Sequence, residues 1–138
     1  DNNFLKLSGS DNLNISWIGG AQNNFGFPGD DFETFGITSP PNLTLLELDI
    51  NNNGRDNTHV IFILLENGGS PNDFAYQVPI NGNGWQHLSF PLSRFEDLDG
   101  NIVDPSKVRI LKIHLIDEDD SNTMLEVNVD NILFKEIN

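Results

Sequence analysis

Three histidines (His59, His87, His114), two tryptophans (Trp17, Trp85) and an excess of carboxylates are the side chains here with the most chemistry to offer. The histidines stand at no recognisable metal spacing, and no H-x-x-x-H helix pairs two of them. His87 and His114 could meet only across neighbouring strands. There is no cysteine, so thiolate nucleophiles, thiolate metal sites and disulfides are excluded together. Gly-x-Ser-x-Gly is missing, which removes the nucleophile elbow. A total of 21 Asp and Glu guarantees some acid/base pair by chance, so their number does not indicate glycoside hydrolysis. These residues do not describe an enzyme.

Carboxylates and Asn carbonyls are hard oxygen ligands suited to calcium. Asp49-Ile50-Asn51-Asn52-Asn53-Gly54 matches the first half of a calcium loop, but the position of the closing bidentate Glu holds Val60. A polar hairpin between two strong strands is the favoured reading of that stretch. Glu96–Asn101 and Asp117–Asp120 are acidic loops of the kind that most often form solvated turns.

Most of the 10 Phe must serve a core. Trp17 stands apart, at the end of a strand before the polar segment Ala21–Asp31, which holds Phe25 and Phe27. Aromatics in a segment that builds no core element either line a binding surface or plug the end of a sandwich. A flat indole ring covers the C–H face of a pyranose, and planar polar side chains bind its hydroxyls. Trp17, Phe25 and Phe27 are therefore candidate ligand contacts.

The elements that must position these residues are short. Apolar bursts are separated by Asn, Gly, Asp and Pro clusters such as Asn67-Gly68-Gly69-Ser70-Pro71 and Asn81-Gly82-Asn83-Gly84. The pattern predicts ten strands: Phe4–Leu7, Asn14–Ile18, Glu33–Ile37, Leu43–Ile50, His59–Glu66, Phe74–Ile80, Trp85–Leu92, Val108–Asp117, Met124–Val129 and Ile132–Ile137. No stretch keeps a helical period, beyond one short turn at Ser93–Asp97. The expected fold is all-β, a two-sheet antiparallel β-sandwich or jelly roll of about ten short strands. Val60–Leu65, apolar on both faces, should be a central, covered strand. At 138 residues, with no repeat or linker, residues 1–138 are read as a single domain, with Asp1 a boundary where a larger protein was cut or processed. A net charge of −14 argues against nucleic acid and anionic membrane surfaces as partners.

The second half carries a recognisable pattern. Gly84-Trp85-Gln86-His87-Leu88-Ser89-Phe90-Pro91-Leu92-Ser93-Arg94-Phe95 resembles the "GW-x-x-v-x-i-P-L-S-x-F" signature of jelly-roll carbohydrate-binding modules. Asp104–Ile113 and Val127–Phe134 resemble their "D-p-s-k-v-x-x-i-x-i" and "v-x-i-D-N-I-x-f" segments, in the same order and spacing. The similarity is to galactose-binding-like sandwiches, including carbohydrate-binding module families four, eleven and thirty and domains of Bacteroidetes surface glycan-binding proteins.

That resemblance implies a non-catalytic module holding a polysaccharide in a groove across one sheet or at a rim. It makes the Gly-Trp strand and the Lys112/His114 strand neighbours on the groove sheet, so that His87, Lys112 and His114 face the sugar. Gln77 joins them from two strands away. Trp85 is either a ligand contact or a packing residue. Asp130 would help bind a structural calcium ion together with an acidic residue near the start, for which Asp1 or Asn3 stands in, unless Asp130-Asn131 is simply a turn. The expected ligand is a neutral β-glucan such as laminarin, bound by a monomeric, secreted or cell-surface domain joined to others. An open groove with few aromatics predicts a Kd between about 1 mM and 10 μM. The alternative is a structural or protein-interaction spacer of a larger secreted protein, with no sugar site.

Overall fold

The computed structural model describes residues 5–9, 12–18, 34–51, 53, 58–66, 73–80, 84–117 and 125–137. Among them are eight strands: β1 Leu5–Gly9, β2 Asn12–Ile18, β3 Thr44–Asn51, β4 Thr58–Leu65, β5 Asp73–Ile80, β6 Gln86–Pro91, β7 Ile110–Asp117 and β8 Leu125–Glu136. They form two four-stranded antiparallel sheets, ordered β1-β8-β3-β6 and β2-β7-β4-β5. Consecutive strands lie in opposite sheets except β4 and β5. The expected all-β sandwich is what the chain forms.

The alternation of side chains explains why these segments build two faces. In β3, Thr44, Leu46, Leu48 and Ile50 are buried, while Leu45, Glu47 and Asp49 turn outward. Val60, Phe62 and Leu64 of β4, with Leu111 and Ile113 of β7, meet them from the opposite sheet in one hydrophobic cluster. Phe62 and Phe90 join the sheets, their ring centroids 5.1 Å apart, and Tyr76 approaches Phe90 at the same 5.1 Å. Burying one such ring is worth about 1.5–3 kcal/mol.

Four expectations need correction. The stretch Asp49–Gly54 is no hairpin, because β3 and β4 belong to opposite sheets and the chain crosses between them. The described part of the expected strand Glu33–Ile37 is not a strand: Gly36, at φ +76°, takes the chain out of the extended region. There Phe35 N–H donates to the Val108 carbonyl at 3.0 Å, and the Glu136 carboxylate accepts from the N–H groups of Thr38 and Ser39, each at 2.7 Å. The two expected last strands are one. Asn131, at φ +53°, inserts a β-bulge into β8 where the register to β3 shifts, so Asp130-Asn131 is no turn. Finally, β4 is central but only partly covered on its outer face: Leu65 is buried there, while Ile61 and Ile63 are half-buried.

Candidate functional site

The outer face of β2-β7-β4-β5 is the surface left by those half-buried residues. Cross-strand register places Lys112, Ile63 and Ala75 in one row and His114, Ile61 and Gln77 in the next. Leu65 and Ile110 form a small buried cluster beside them, with Ile63 packed against it. The face is therefore an aliphatic strip flanked by an ammonium, an imidazole and a carboxamide. Such a strip is unusual on an outward face, where charged residues normally alternate with apolar ones.

A loop walls this strip at the β5 edge. Ala75 and Glu96 exchange backbone hydrogen bonds, the Ala75 N–H donating to Glu96 O at 3.0 Å and the Glu96 N–H to Ala75 O at 3.4 Å. Glu96 also bridges to Ile102, so the segment is a narrow hairpin laid on the sheet edge. Asp97 organises its tip. Asp97 Oδ1 accepts from the N–H groups of Asp99 at 2.9 Å and Asn101 at 2.8 Å, and Oδ2 accepts from Asn101 Nδ2 at 3.0 Å. These donors, chiefly Asn101, hold the Asp97 carboxyl below its ordinary value. Gly100 closes the turn at φ +82°. Leu98 is thereby held out as a fully exposed apolar side chain, at 104% relative exposure.

Ile63, Ala75, Asp73, Glu96, Asp97, Leu98 and Asp99 enclose a groove of about 410 Å³. Sites for small ligands run from roughly 300 to 1,000 Å³. An aliphatic floor and Leu98 offer van der Waals contact to a C–H face. The carboxylates offer acceptors for hydroxyl donors, and Lys112, Gln77 and His114 extend the same face with further polar groups.

The structure distributes the expected ligand residues over two faces. Gln77, Lys112 and His114 lie on the groove sheet. His87 and Trp85 do not: β6 is an edge strand of the other sheet, so the Gly-Trp strand and the Lys112/His114 strand are not neighbours. The family resemblance implied adjacency, but the chain switches sheets between β6 and β7. His87 and His114 accordingly stand in opposite sheets rather than meeting. Trp17 pairs in the ladder with Leu111, a core position; its side chain, like Phe25, Phe27 and Asp1, lies outside the described residues.

Asp130 is half-buried in β8, its Oδ1 accepting from the Asn131 N–H at 2.8 Å. Its ladder neighbour Asp49 is already engaged by His87 and Asn131. Among the described residues no three His, Asp or Glu side chains converge as a metal cluster. Asp130 fits a calcium ion only if further oxygens come from elsewhere in the chain. The loop wall was missed by sequence reasoning, because Glu96–Asn101 has the composition of a solvated turn; the exposed Leu98 within it was the available signal.

No protein-family model and no curated protein sequence matches the chain. Solved structures do. A family 11 carbohydrate-binding module from Clostridium thermocellum, in complex with a β-1,3-1,4-mixed-linked tetrasaccharide, superposes with a TM-score of 0.56 at 16% identity, covering 99% of this chain and 91% of that one. A family 30 module of a cellulosomal cellulase from the same organism gives 0.58 at 16% identity, over 96% of this chain and 74% of that one. An exo-β-agarase gives 0.63 at 14% identity over 96% of this chain, which spans only 20% of the agarase. The fold is the jelly-roll sandwich of these carbohydrate-binding modules.

Proposed function

We propose that this domain binds a polysaccharide without transforming it, in the groove on the outer face of β2-β7-β4-β5. The observation that carries the reading is the groove itself: an aliphatic floor at Ile63 and Ala75, a wall that presents Leu98, and polar groups along both sides. The superposition on the family 11 and family 30 carbohydrate-binding modules supports the same reading. Fold alone would not be enough, since one sandwich serves many functions.

The ligand class follows from charge. Asp73, Glu96, Asp97 and Asp99 all line the groove, and the chain carries a net −14. Uronate-rich or sulfated chains would be repelled, which leaves neutral glycans. Among these a β-glucan is the first candidate, because the family 11 module was solved in complex with a β-1,3-1,4-mixed-linked tetrasaccharide. Secretion or display at the cell surface follows for a protein that meets polysaccharides. Attachment to further domains is supported by the agarase, of which a chain like this is about a fifth.

Native affinity electrophoresis through gels containing laminarin, mixed-linkage β-glucan, xylan, mannan or pectin tests the proposal. Retardation in a neutral-glycan gel, weakened about fivefold or more by Leu98→Ala or Gln77→Ala, is the expected result. Unchanged mobility of the folded protein in every gel would favour a spacer domain instead.

A further inference from the structure

The outer face of the other sheet carries a second cluster, drawn from β6, β3 and β8. Exposure alternates along β6 and the residue before it: Trp85 is 48% exposed, and His87 and Ser89 follow outward at two-residue intervals. His87 Nδ1 lies 2.7 Å from Asp49 Oδ1. An ionised carboxylate only accepts, so Nδ1 carries the ring proton and donates it. Asn131 Nδ2 donates to the other oxygen, Asp49 Oδ2, at 2.7 Å. In the next row Ser89 Oγ donates to Glu47 Oε2 at 2.8 Å.

This arrangement has a directional consequence. Both oxygens of Asp49 are engaged within the protein, and the His87 ring is fixed in one tautomer and one orientation. In the neutral ring, with Nδ1 committed, Nε2 is the acceptor, on a side chain that is 59% exposed. Trp85 supplies an apolar plate about 6–7 Å along the strand from it. An anion would be repelled by the neighbouring carboxylates, and no metal cluster exists here among the described residues. A neutral polyol complements the face: its C–H surface lies on the indole and one hydroxyl donates to Nε2.

We propose that Trp85 and His87 form a second saccharide-contact site, on the outer face of β1-β8-β3-β6 and separate from the groove. The proposal rests on the reading of the domain as glycan-binding. Two sites on opposite faces would let one domain hold two chains, or one chain that wraps it, and would raise retention in a polymer beyond either contact alone.

The same five polysaccharide gels test it. In the gel that retards the wild type, Trp85→Ala and His87→Ala are each expected to weaken retardation about fivefold, while Trp85→Phe keeps most of it. Ser89→Ala breaks the adjacent cross-strand row without touching plate or acceptor, and should leave retardation unchanged. Wild-type retardation in Trp85→Ala and His87→Ala, with loss in Leu98→Ala, would overturn the second site and leave the groove. Equal losses in Ser89→Ala, accompanied by a lower melting temperature, would show that the cluster only ties strands together and would also overturn it. A wild type that no gel retards would overturn both readings.

Discussion

Asp97 shows how a single side chain can decide whether a loop is a wall or a solvated turn. Its carboxylate accepts from Asn101 and Asp99, and this geometry presents Leu98 to the groove. The same donors lower its pKa from the ordinary 3.8. The sign follows: a depressed carboxyl stabilises the fold fully above its ordinary value, and that contribution disappears as pH falls through the lower folded value. Asp97→Asn should therefore melt below the wild type at about pH 6, and the gap should close as the pH drops below about 4. A melting-temperature series over that range checks it; a gap constant with pH would refute the assignment. In the sequence this residue was one of many acids in a polar stretch. Nothing local marks Asp97 as the organiser, because its partners, the backbone N–H groups of Asp99 and Asn101 and the Asn101 side-chain amide, are brought to it only once the turn has formed.

Elements were the most legible level. The two-residue alternation in β3 follows from burial on one face and the apolar run of β4 from apolar residues on both, and both strands lie where the pattern puts them. Phe62, fully buried in β4 and ring-paired with Phe90, joins the two sheets. Phe62→Ala should cost about 3–5 kcal/mol in denaturant unfolding, and Phe62→Leu clearly less. A loss under about 1 kcal/mol would mean that this core contact is not closely packed. The bulge in β8 was not legible. Asn131 tolerates positive φ, and the same property suits a turn as well as a bulge, so the sequence pattern divided one strand into two.

At the scale of the molecule, the sandwich presents two outward faces with different chemistry, an aliphatic groove walled by carboxylates and a polar ladder ending in Trp85. Calcium belongs to this scale, because any ion at Asp130 must draw oxygens from a second segment of chain. We propose one structural ion there: EDTA should lower the melting temperature and calcium restore it, while retardation of the still-folded protein is unchanged. Identical melting in EDTA and in calcium would reject the ion. What the sequence by itself determined is the all-β class, the core residues of the central strands and the acidic character that disfavours anionic ligands, since composition and a period of two are properties of neighbouring residues. What only the tertiary structure decided is which strands share a sheet. Ladder partners are far apart in the chain, and several pairings satisfy the same alternation with similar burial. The resemblance placed the His87 and Lys112 strands side by side; the chain crosses between sheets after β6, and this sends them to opposite faces.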